Sequence, residues 1–84
     1  MKASPIKYAA AKRIALTTII KQPPDTPIPD RIAFMNDDDG FQIHFAAGNS
    51  KISRMVSWEV VETSIEAIAE TVKRAMAELA KANH

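Results

Sequence analysis

Cysteine is absent from this chain, which excludes disulfides, thiolate metal sites and thiol nucleophiles. Small exported domains usually carry disulfides, so the absence predicts a cytoplasmic setting. Glycine occurs only at Gly40 and Gly48, leaving no glycine-rich loop to cradle a phosphate. No apolar run approaches the roughly 20 residues of a membrane span, and no membrane partner is expected. The opening stretch MKASPIKYAAAKR is interrupted by charge and reads as mature structure, not as a signal peptide. Histidine is confined to His44 and His84, too sparse for a zinc site, and His44 has no serine–acid grouping beside it in sequence. The net charge of +1 argues against a protein that holds duplex DNA by bulk charge, and against an acidic nucleic-acid mimic.

What is present is a globular composition, 46% hydrophobic and 25% charged, in 84 residues. That length predicts a single α+β domain, residues 1–84, which buries only about 60–65% of its unfolded surface. Such small domains often lean on a second subunit.

Residues 4–21 open with Ser4 as a cap and Pro5 at the first helical position, followed by the alanine run 9–11. A helix is predicted, with Ile6, Ala10, Ile14 and Thr17 on its buried face and Ala9, Leu16 and Ile20 flanking it. The β-branched run 17–20 leaves a strand over 13–21 as the alternative. Residues 22–30 hold four of the five prolines and read as a stiff connector. Pro24 and Pro27 also fit the spacing of a proline-recognition ligand.

Ile32 and Phe34, then Phe41, Ile43 and Phe45, alternate with smaller or polar residues around Asn36-Asp37-Asp38-Asp39-Gly40. This predicts a β-hairpin, Gly40 supplying the positive φ of the turn, with Gln42 and His44 on the outer face. Ile52, Arg54 and Val56 suggest a short third strand after Gly48-Asn49. Residues 57–82 lack glycine and proline, and Val61, Ile65, Ile68, Val72, Ala75 and Leu79 repeat as a heptad seam. One long helix is predicted, giving the order α-β-β-(β)-α. Its expected length of about 37 Å exceeds the roughly 20 Å of a six-residue strand. The uncovered part of the seam, Val72, Ala75, Met76 and Leu79, is therefore the expected interface of a homodimer.

Candidate chemistry is thin. Asp37, Asp39 and Gly40 fit part of a calcium loop, but Met35 takes the first ligand position and Ala46 the twelfth, where a glutamate is needed. Glu59, Glu62, Glu66 and Glu70 read as the wet side of a helix. No metal, no cofactor and no catalytic residue is expected. The expected function is non-enzymatic: an adaptor or inhibitor that contacts a larger protein through Asp37, Asp38, Asp39, Gln42 and His44. A phage or prophage origin is an expectation from size and style, not from a motif. The alternative is a dimeric single-stranded nucleic-acid binder using Lys7, Tyr8, Lys12, Arg13 and Lys21. A few strands followed by a long dimerising helix resembles, in layout alone, small single-stranded-DNA binders of the transcription-coactivator type. Trp58 reads either as a plug at the helix–sheet junction or as an anchor for a partner.

Overall fold

The computed structural model describes residues 2–82, so His84 lies outside the described residues. Helix α1 spans Pro5–Ile20, strands β1, β2 and β3 span Arg31–Asn36, Gly40–Ala47 and Ser50–Ser57, and helices α2 and α3 span Trp58–Thr63 and Glu66–Ala82. The strands form one antiparallel sheet in the order β1-β2-β3. The α+β class and the element order match the expectation, with the third strand present.

In α1 the Ser4 hydroxyl accepts the amide of Lys7 at 3.2 Å and Pro5 occupies the first turn, as its sequence dictates. The strand alternative over 13–21 loses. Thr18 turns its hydroxyl back to the Ile14 carbonyl at 2.8 Å, a bond available only in a helix. The buried face differs from the expected one. Ala11, Ala15, Thr18 and Ile19 are buried, while Ile6 is 84% and Ile20 80% exposed. Close packing against α3 selects the small alanines for the contact side. Ile14 is half-buried against the core, whereas Ile6, Leu16 and Ile20 point to solvent, in a helix that is apolar on both sides.

The hairpins also correct one reading. Gly40 does not have a positive φ; Gly48 does, at 58°. Gly40 is needed for closeness instead: a Cβ there would sit 2.4 Å from the Val56 carbonyl oxygen and 2.9 Å from the Ser57 Cα.

The long helix is broken. Ser64, at φ −152° and ψ 104°, ends α2, and α3 begins at Glu66. No glycine or proline is involved. Thr63 bonds its hydroxyl to the Glu59 carbonyl at 3.1 Å, and the Ser64 carbonyl accepts the amide of Ala67 at 3.1 Å to start the next turn. The break lets Trp58 and Val61 reach the sheet end while Ile68, Val72, Ala75, Met76 and Leu79 line the sheet. It also removes the length mismatch. A helix of 17 residues is about 25 Å long, and a strand of 8 residues is about 27 Å. Ile65, expected in the seam, sits at the break and is exposed.

The expected homodimer contact therefore loses its premise. Val72, Ala75, Met76 and Leu79 are all buried within the single chain, between α1 and the inner face of β2 and β3. The core joins them to Phe41, Ile43, Phe45, Val56 and Ile68, with Ile32, Phe34 and Ile52 half-buried at its margin. Four of the five aromatic rings meet at one end: Phe41 lies 5.4 Å from Phe34, 5.8 Å from Tyr8 and 6.0 Å from Trp58, centroid to centroid.

Candidate binding face

Both helical layers lie on one side of the sheet, so the other side is open. Strand alternation puts Arg31, Ala33 and Met35 of β1, Gln42, His44 and Ala46 of β2, and Lys51, Ser53 and Met55 of β3 on that open side. The register arranges them in three rows: Arg31–Ala46–Lys51, Ala33–His44–Ser53 and Met35–Gln42–Met55. Met35 is 54% and Met55 49% exposed. Around the small residues Ala33, Ala46 and Ser53 lies a shallow hollow of about 240 Å³, bordered by Arg31 and Lys51.

A hydrogen-bonded chain runs along the middle of this face. Ser53 Oγ lies 2.9 Å from His44 Nδ1, His44 Nε2 lies 2.9 Å from Gln42 Oε1, and Gln42 Nε2 donates to Asp37 Oδ2 at 3.0 Å. Because Gln42 gives its amide to Asp37, its oxygen faces His44 and accepts from Nε2, while Nδ1 shares a hydrogen bond with the Ser53 hydroxyl. Sequence reasoning placed Gln42 and His44 on the outer face but missed Ser53, Met35 and Met55. It also left His44 without a serine or an acid in reach, whereas the β2–β3 register sets Ser53 directly opposite it. A serine bonded to an imidazole is half of a nucleophilic site. The strand N–H groups lie in the plane of the sheet, and the row holds the Ser53, His44 and Gln42 side chains in fixed orientations above it.

The acidic turn sits at one end of the face and is held from behind. Asp37 N–H donates to the Gly40 carbonyl at 3.0 Å. The indole Nε1 of Trp58 donates to the Asp37 carbonyl at 2.8 Å, and its backbone amide to the Asp39 carbonyl at 3.3 Å. Trp58 is itself buried against Phe41, with the Lys7 ammonium 5.7 Å from its ring. Of the two readings of Trp58, the junction plug is the one realised. The arrangement presents Asp37, Asp38 and Asp39 on a fixed backbone opposite Arg31 and Lys51, so the face is negative at one end and positive at the other.

The basic residues expected to hold nucleic acid do not form one surface. Lys7 pairs with Glu62. Tyr8 packs on Phe41 and donates its hydroxyl to the Phe34 carbonyl at 3.1 Å, so its ring is not presented for stacking. Arg13 and Lys21 instead border a groove of about 300 Å³ between α1 and α3, where they meet Lys73. Lys12 lies outside it. In the connector, Pro27 and Pro29 face Met76 and Leu79 of α3 across a hollow of about 300 Å³, which fits a structural spacer.

Among the described residues no helix is long and apolar enough to cross a membrane. Comparison of the chain with protein-family models, with curated proteins and with solved structures finds no match in any of the three.

Proposed function

We propose that this protein is a non-enzymatic binding module of the adaptor or inhibitor type, acting in the cytoplasm, whose open sheet face and acidic turn dock on another polypeptide. The observation that carries this reading is the held row Ser53–His44–Gln42–Asp37 between two exposed methionines. Polar groups that already satisfy one another are cheap to cover, and flexible thioethers adapt to an opposing surface. The backbone anchoring by Trp58 lowers the ordering cost of binding.

Affinity capture from host lysate tests the reading, using wild type beside Met35→Glu/Met55→Glu and Asp37→Lys/Asp38→Lys/Asp39→Lys variants. A partner held by wild type and released by both variants supports it. A partner held equally by all three sinks it.

The second reading, single-stranded nucleic-acid binding, is supported by the convergence of Arg13, Lys21 and Lys73 on one groove. Binding there would weaken steeply with salt and fail in Arg13→Glu/Lys73→Glu. A gel shift insensitive to both changes removes this reading.

A further inference from the structure

We infer that the open sheet face pairs with the same face of a second copy of this chain, the two sheets stacked about a two-fold axis that lies midway between them, parallel to both and crossing the strands. The inference rests on the reading of this face as a binding surface and names its partner. A closed pair built on one patch requires that patch to be complementary to itself, and three properties of the face meet that demand.

The first is charge. Arg31 and Lys51 end the face on one side and Asp37, Asp38 and Asp39 on the other. An axis across the strands reverses the strand direction while keeping β1 over β1, so Arg31 lies over the partner's Asp37. Lys51 then lies over the partner's Ser57, next to the acidic turn. An axis along the strands would set Arg31 over the partner's Lys51, which electrostatics disfavours.

The second is size. With the axis passing between His44 and Gln42, the row Ala33–His44–Ser53 faces the partner's row of Met35, Gln42 and Met55. Each exposed methionine meets a small residue, and the hollow of about 240 Å³ around Ala33, Ala46 and Ser53 lies where a thioether arrives. Large opposite small is how two sheet faces interdigitate.

The third is polar satisfaction. His44, Gln42 and Ser53 are bonded to one another and to Asp37 within the chain, so each keeps a hydrogen-bond partner when a second sheet is laid over them.

Area sets the strength. Strands about 4.8 Å apart and a rise of about 3.4 Å per residue give a face of about 14 by 24 Å. This falls well below the roughly 800 Å² per partner of a standard interface. The pair is therefore weak, concentration-dependent and sensitive to salt. A larger protein docking on the same face competes with it.

Sedimentation equilibrium of the full chain, from about 10 µM to about 1 mM protein at low and high salt, tests the inference. Arg31→Glu/Lys51→Glu and Asp37→Lys/Asp39→Lys are each expected to associate at least about tenfold more weakly than wild type. An equimolar mixture of the two should recover the mass of a pair. Circular dichroism confirms that each is folded. Ile6→Glu/Ile20→Glu, on the exposed side of α1, should associate as wild type does. A wild type that stays monomeric throughout overturns the inference, as do charge variants that pair normally, a mixture that fails to recover, or an α1 variant that abolishes association. Monomeric wild type with capture still lost in the face variants would remove this pairing and leave the proposed function standing. Intact pairing with capture unaffected would do the reverse.

Discussion

The indole of Trp58 and the main-chain oxygen of Asp37 are 2.8 Å apart, so the first residue of α2 closes the turn between β1 and β2. A helix start thereby sets the shape of a hairpin 21 residues earlier in the chain. Trp58→Phe keeps most of the ring burial and leaves the Asp37 carbonyl without its donor. The expected loss is about 1–2 kcal/mol, read by urea denaturation, with faster hydrogen exchange at the amides of residues 37–39. Unchanged exchange there would show that the turn holds itself.

The two glycines predict different outcomes. Alanine at Gly40 drives a methyl into the backbone of β3, at Val56 and Ser57, where no side chain can yield. Separation of β2 from β3 follows, with an expected loss above about 3 kcal/mol. At Gly48 the obstacle is the left-handed backbone, so alanine costs about 1–2 kcal/mol. Thermal unfolding of the two variants ranks them, and a milder effect at Gly40 would contradict the close approach.

Ile65 and Ile68 separate a continuous helix from a broken one. Ile65 is 41% exposed at the break and Ile68 is 0% exposed beneath α3. Ile68→Ala is expected to cost about 2–5 kcal/mol and Ile65→Ala less than about 1 kcal/mol. Equal losses in chemical denaturation would restore the uninterrupted seam.

Asn36 clasps the N-terminal segment. Its side chain accepts the Ala3 amide at 3.0 Å and donates to the Ala3 carbonyl at 2.8 Å. Asn36→Ala removes both bonds and should cost about 1–2 kcal/mol, with protease cleavage moving to the residues before Ser4. A cleavage pattern like that of wild type would mean the segment is held by other contacts.

Much of the fold is legible in local chemistry. Ser4-Pro5 marks the start of α1, the alternation around Phe41, Ile43 and Phe45 gives β2 its inner face, and Ser57 caps α2 by accepting the Val60 amide at 3.2 Å. What stayed hidden depends on tertiary geometry. Ala11 and Ala15 outcompete Ile6 for the core because α3 comes close, a fact no single helix encodes. Ser64 breaks the helix because Trp58 and Ile68 must face different parts of the sheet, although Thr63-Ser64 offered a faint signal as poor helix formers. The face chemistry was half visible. Gln42 and His44 follow from alternation, but the bond from His44 to Ser53 exists only once the register of β2 and β3 is fixed, and the location of Met35 and Met55 in one row follows from the same register.

The margins of the sheet are unequal. Among the described residues β1 and β3 are both edge strands; along β1 the Phe34 carbonyl is taken by Tyr8 and the Asn36 side chain is engaged with Ala3. Fibril growth needs a ribbon that can accept a newcomer at both borders. Tyr8 and Ala3 occupy part of the β1 border, so a newcomer strand meets more hindrance there than along β3.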